Sequence, residues 1–426
     1  MAKRKNRMKK IIFFVILIIW PRIGHSLVYI DINTPGQQKI PIAISPFVIK
    51  GDKQIGLEAQ QIFQKDLEYT GFFNILSPEI FLENIPTLEI DFKKWQLIGA
   101  YLVVKGKLEI TPQVINLEMR LYDASQGIML VGKRYQGKKN ALRFMVHKFA
   151  DAMMEALTGE PSIFQTKIAF VYKSNNIKEI FVTDFDGHNP HPLTRFKTIC
   201  LSPKWHPNEK KLLFTSYKKG KPEIYLLDLI KGEAKRLIYH SNLNITPAWS
   251  PDGNRIAVTL AQGKKQGIYL TNKHGKIIKC LVESEGINVS PTWSPDGKKL
   301  AFVSDRGGTP QIYILNLASN KIRRISFSGS YNTSPAWSPK GDFIAYAGLK
   351  DGHFQIFVVS MDSGEIRQLT FGEANHESPS WSPDGHFLAY SRNEKIYILR
   401  LTDGSSFPIL SLPGGQLQPS WSPRLK

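Results

Sequence analysis

Two cysteines in a chain of 426 residues are too few for a disulfide framework. They stand at different phases of a repeat: Cys200 lies five residues before one repeat tryptophan and Cys280 thirteen before another. In a repeated sheet these phases fall on an inner and an outer strand, too far apart to bridge, so free thiols are expected. Long apolar runs are equally scarce. The longest is the ten-residue stretch Ile11 to Trp20, half of the roughly 20 residues that a bilayer-spanning helix needs. Catalytic signatures are missing too: there is no Gly-x-Ser-x-Gly elbow, no His-Glu-x-x-His, no Cys-x-x-Cys and no phosphate loop. Blocks of like charge occur only at the start of the chain, and no nucleic-acid motif interleaves aromatics with the basic residues.

What is present is a repeat. Trp205, Trp249, Trp293, Trp337, Trp381 and Trp421 are spaced by four steps of 44 residues and one of 40, each with Pro two residues before and two after. The form Trp293-Ser294-Pro295-Asp296-Gly297 reads as a turn, because Pro presets φ, Asp caps the backbone and Gly accepts positive φ. Apolar runs such as Leu300 to Val303 and Gln311 to Leu315 follow each time. With the strand that carries the Trp, each unit holds four short strands, the size of a propeller blade. Five units are complete. Lys167 to Thr194 has strand-like runs without a Trp, whereas Trp421 has no strands after it. A sixth blade assembled from both ends therefore closes the ring and removes the exposed edges of a linear array.

Ahead of the repeats, residues 3 to 10 hold six Lys and Arg, followed by the apolar run and then Gly24-His25-Ser26. That order describes a secretory signal over residues 1–26, cleaved after Ser26; a retained anchor is the alternative, disfavoured by the short run. Loss of this segment reduces the formal charge from +20 to +13, a balance that permits acidic partners but also suits a solvated basic surface. Residues 27–160 are expected to form an α/β domain with a mixed sheet. Its strands are read at Ile40–Phe47, Phe72–Leu76, Ala100–Ile110, Val114–Tyr122 and Ile128–Tyr135, with helices over Ile55–Tyr69, Phe92–Ile98 and a closing helix faced by Leu142, Met145, Phe149, Met153 and Leu157. The six-bladed β-propeller then occupies 161–426.

Exported signal, small α/β domain, Gly-Glu-Pro linker, a propeller with Trp-Ser-Pro-Asp-Gly turns and a Pro-Ser-Trp-Ser-Pro terminus together resemble the TolB family, the periplasmic component of the Tol-Pal system. The resemblance implies a periplasmic adaptor, monomeric and without cofactor, that binds the lipoprotein Pal through the propeller and TolA through the mature N-terminus. It would thereby maintain the outer membrane and support its constriction in cell division, touching membranes only through its partners. Departures occur at His206, Lys340 and the final unit, which lacks Asp-Gly.

Candidate partner residues follow from the stretches that enter each Trp strand, since these should converge on one face of the disc. They are Leu243, Asn244 and Thr246; Asn288, Val289 and Ser290; Asn332 and Ser334; and His376 and Glu377. Their hydrogen-bonding groups suit a hydrated recognition surface or merely shape tight turns. The resemblance carries Pal binding onto Leu243, Thr246 and Val289. Lys218, Lys219, Lys221, Lys264 and Lys265 are read as a basic rim on the same face. Leu27, Val28, Tyr29, Ile30, Asp31, Ile32 and Asn33 alternate as an extended arm for a partner's sheet edge, with an ordinary edge strand as the alternative reading. The repeated Asp252, Asp296 and Asp384 are read as turn formers, the six Trp as packing between blades, and the scattered histidines as surface or loop residues. A rival function, an exported carbohydrate hydrolase or lyase, would need acids and histidines gathered in the channel, and only the adjacent His376 and Glu377 suggest one.

Overall fold

The computed structural model describes residues 39–262 and 265–425. The proposed signal and the arm at 27–33 lie outside them, as do residues 263 and 264 of the basic rim. The first domain is a six-stranded mixed sheet. Strand β1 (Ile40–Ile44) runs parallel to β3 (Phe73–Ile75) and to β4 (Leu102–Ile110), the short β2 (Val48–Lys50) lies alongside β4, and β4, β5 (Ile115–Asp123) and β6 (Ile128–Gly137) form an antiparallel meander.

Alternation along the strands gives the sheet two different faces. Ile42, Ile44, Leu102, Val104 and Leu108 meet helices α1 (Lys53–Thr70) and α3 (Leu142–Thr158). On the other side, Ala43 and Val103 pack with Phe81 and Trp95, the latter from the short helix α2 (Phe92–Leu97). Lys105 also lies on this second side, fully buried, with its ammonium ion-paired to Glu83 and over the Trp95 ring. The closing helix buries all five residues read from its pattern. The sequence pattern of α1 sets Ile55, Leu57, Ile62, Phe63 and Leu67 among polar residues, but Leu57 is exposed and Asp66 buried, because the buried stripe runs through Ala59, Ile62, Phe63, Asp66 and Leu67.

Six four-stranded antiparallel sheets follow, each with its Trp strand innermost. The sixth combines the C-terminal strand Gly415–Trp421 with β7 (Lys167–Ser174), β8 (Ile177–Asp184) and β9 (His191–Pro192). Trp421 pairs with Ile168, and Lys167 and Ser422 exchange bonds of 2.9 and 2.8 Å. Five of the six tryptophans are less than a tenth exposed and lie in clusters between blades. Trp205, Trp293 and Trp381 donate their indole N–H to the inner strand of the preceding blade, at Ser420, Ala248 and Ala336. Bulk and bond together join one sheet to the next.

The turns after each Trp are built as the composition implies. Ser294 Oγ donates to Asp296 Oδ1 at 2.6 Å and accepts from Lys299 N at 2.9 Å, while Gly297 sits at φ 67°. All three departures keep a strand-closing function or dispense with it harmlessly. His206 Nδ1 accepts from the backbone of Asn208 and Glu209 in place of Ser, Asp342 takes the role vacated at Lys340, and the last turn leads to no further strand.

The α/β domain packs against the turn side of the Trp381 blade and the sixth blade, where Phe387, Ile398, Ile409 and Trp421 join its core. Arg400 donates from Nη1 to the carbonyls of Glu68 and Tyr69, each at 2.9 Å, satisfying the end of α1. Gly71 closes that helix at φ 74°, and a Cβ there would stand 2.6 Å from the Arg400 guanidinium carbon. Among the described residues, the opposite side of the disc carries no packing from this domain.

Candidate functional site

That opposite side holds the starts of the six inner strands and the channel mouth. One residue in each inner strand, three before the Trp, has a left-handed backbone without being glycine: Ser202, Thr246, Ser290, Ser334, Ser378 and Gln418, with φ between 47° and 56°. Each precedes a proline and coincides with a break in the ladder to the second strand. The physical cause is the proline. It has no N–H to give the ladder, so the strand bulges past it, and the same feature blunts an edge that faces only the channel. Such a conformation costs on the order of 1 kcal/mol or more per residue.

Side chains at these bulges tie neighbouring blades together. Thr246 Oγ1, which shares a bond of 2.8 Å with Thr259 of its own blade, accepts from Ser290 N of the next, and Ser202 N donates to Gln418 Oε1 across another blade boundary. With their prolines the six residues line a cavity of ≈ 110 Å³ at the mouth. A wider bowl of ≈ 350 Å³ on the turn side is lined by the six Trp and their flanking prolines.

The sequence-predicted residues divide into two groups. Thr246, Ser290 and Ser334 line the channel mouth and are half-buried. Leu243 is half-buried at the strand entrance, and Val289 packs partly against the apolar cluster around Trp337. Asn244, Asn288, Asn332 and His376, by contrast, are no more than 2% exposed and belong to the inner strands rather than to loops. Asn244 Nδ2 donates to the carbonyls of Pro222 and Ser241, Asn288 Nδ2 to that of Gln266 and Asn332 Nδ2 to Gln311 Oε1. These asparagines hold each entrance in place from inside, because an unpaired amide or carbonyl there would lose its solvation.

His376 occupies the asparagine register of its blade, against Tyr390, and burial lowers its pKa. His206 is also buried, packed 4.6 Å from Trp249 and similarly lowered. His376, buried in a strand, corrects the expectation of surface or loop histidines, whereas His206 does lie in a loop although it is buried; in both, a ring nitrogen or ring face takes over a capping or packing role that Ser or Asn fills elsewhere. Glu377 is half-buried, and desolvation raises its pKa. As successive strand residues, His376 and Glu377 point to opposite faces of their sheet, so they do not converge as the hydrolase reading requires. Among the described residues no three His, Cys, Asp or Glu gather to hold a metal.

Two features escaped the sequence reading. Lys204, one residue before its Trp, stands where the other blades have Ala248, Thr292, Ala336, Ser380 and Ser420, and its side chain borders both the mouth cavity and the Trp bowl. Tyr239, Phe327 and Phe371, each ten residues before a Trp, are 51%, 70% and 69% exposed at the ends of outer strands on the mouth side. Arg236 stacks 3.8 Å over Tyr239 and Arg324 5.1 Å over Phe327. A fixed offset within the repeat was the signal available for both. Of the expected basic rim, Lys218 lies 4.0 Å over Phe196 and Lys221 donates to Asn242. Exposed aromatic and Arg pairs around a polar mouth are the composition of a protein-binding surface.

Comparison with known proteins agrees with this architecture. A family model described as the TolB beta propeller domain matches residues 154–425, and one described as the TolB amino-terminal domain matches 28–130. The "Tol-Pal system protein TolB" of Desulfosudis oleivorans is 37% identical over 210 residues, 47% of this chain and 48% of that protein. The "Protein TolB homolog" of Chlorobium chlorochromatii is 36% identical over 222 residues, 51% and 50% of the two chains. The matches thus span about half the length of these relatives. The crystal structure of TolB from Acinetobacter baumannii superposes with a TM-score of 0.79 at 27% identity, over 92% of this chain and 98% of that one.

Proposed function

Because the chain belongs to the TolB family, we propose that it acts as a non-enzymatic periplasmic adaptor of the Tol-Pal system, binding Pal at the channel mouth and TolA through residues 27–33. The observation that carries the reading is the mouth side of the disc: left uncovered by the described residues of the chain's own first domain, it combines half-buried polar bulges with exposed aromatics stacked by arginines. The bulges keep a strained geometry in all six blades, which rigidifies the surface before a partner arrives and lowers the entropy cost of docking. Pal would contact Leu243, Thr246, Ser290 and Ser334 directly, with Asn244, Asn288, Asn332 and His376 holding them in place. Val289 and Glu377 would border the site. Such an adaptor would link the two partners for outer-membrane integrity and constriction at division.

Calorimetry with purified Pal and TolA tests both halves. Leu243→Arg places a charge at the mouth without disturbing a bulge or a Trp, and should weaken Pal binding at least about tenfold, the scale of a truncated interface anchor, with an unchanged melting temperature. Deletion of 27–33 should abolish TolA binding and leave Pal binding intact. Full Pal affinity in the first variant would place that contact elsewhere; a large loss of thermal stability in the second would make the segment an edge strand instead.

A further inference from the structure

Across the six inner strands only two side chains are charged, Lys204 and Glu377. Glu377 is absent from the channel lining, whereas Lys204 borders both of its cavities. The ring at its level is otherwise Ala, Thr, Ala, Ser and Ser, so one long side chain projects where the other five leave space. Burial is the single influence that shifts its pKa, and it shifts it down; no neighbouring carboxylate acts on the ammonium, and it forms no ion pair among the described residues. Lys204 is half-buried, so its ammonium is partly desolvated in the channel wall without a counter-charge from the protein, a position that favours an anion arriving from outside. Around the mouth cavity, the hydroxyls of Ser290, Ser334 and Ser378 also make no hydrogen bond to other described residues and are free to donate. The cavity volume of ≈ 110 Å³ is several times the roughly 10–15 Å³ that one water needs on the same measure, room for a carboxylate with some hydration.

We propose that the propeller channel is a single-anion site, in which Lys204 binds a carboxylate-sized anion assisted by the serine hydroxyls at the mouth. Two sources share this chemistry: a small free carboxylate, or an acidic side chain carried into the mouth by the docked partner. The second source rests on the Pal-binding reading given above; the first does not.

Lys204→Met and Lys204→Ser, the latter copying Ser380 and Ser420, separate the cases. Removing this unpaired, partly desolvated charge should leave the melting temperature without added anion equal to or above that of the parent protein. Titrating acetate at fixed ionic strength should raise the parent's melting temperature saturably, and neither variant's, if the site takes free carboxylates. If the anion arrives on the partner, acetate has no such effect. Pal affinity then falls at least tenfold in both variants, with a weaker salt dependence. Should the parent fail to bind Pal at all, the adaptor reading falls and the acetate titration alone decides the anion site. Variants indistinguishable from the parent in acetate response and in Pal affinity overturn the proposal.

Discussion

Asp66 shows how one side chain can set a pH dependence. It is buried on α1, 2.8 Å from His147 Nδ1, with Arg143 and Asp186 nearby, and burial raises its pKa to about 6. An acid whose folded pKa exceeds its unfolded value binds its proton more tightly in the folded state. Its stabilising contribution is therefore complete below the unfolded value near 3.8 and disappears as pH rises through about 6. Asp66→Asn should flatten the fall in stability between pH 4 and 6, measured by urea unfolding at successive pH values. An unchanged slope would assign that dependence to other groups. The bulge residues make a second point at this scale, since Thr246 holds a left-handed conformation that β-branched residues avoid, stabilised by bonds to Thr259 and from Ser290.

Among the elements, the C-terminal strand Gly415–Trp421 has the greatest consequence. It pairs along β7, buries Trp421 in the core shared by both domains, and anchors that indole to Thr166 Oγ1 at 2.8 Å. Removing residues 416–426 would expose an edge on β7 and empty the Trp421 site, costing at least the 3–5 kcal/mol typical of a deleted buried aromatic. Sharply lower thermal stability with aggregation is expected in calorimetric melting and light scattering. A truncated protein that melts like the parent would show that the ring does not depend on this closure.

For the whole molecule, the decisive contact is between the two domains. Arg400 binds the carboxylate of Asp403, whose pKa it holds well below the usual carboxylate range, and reaches across to the end of α1. Truncating it leaves two helix-end carbonyls short of a donor, a loss of about 1–3 kcal/mol. Arg400→Ala should therefore lower the urea midpoint and speed limited proteolysis between the domains, with both folds intact by circular dichroism. If proteolysis and midpoint stay the same, the apolar contacts of Tyr69 with Phe185 and Phe407 suffice for docking.

The propeller was legible because its determinants are local and repeated: a Trp flanked by prolines, a Ser-Pro-Asp-Gly turn and period-two runs recur until the number of blades and their closure follow from counting. The strands and helices of the first domain were legible for a similar reason, as short-range periodicity, although the place of Leu57 and Asp66 on α1 was not. Which polar residues face outward was decided by tertiary structure alone. Asn244 and Thr246 are two residues apart and similar in polarity, yet one is sealed behind the strand and the other lines the channel, because Asn244 lies in the regular ladder and Thr246 in the bulge before Pro247, which breaks the alternation. The isolation of Lys204 likewise arises only when six strands, far apart in the chain, meet around one axis and leave it without a counter-charge.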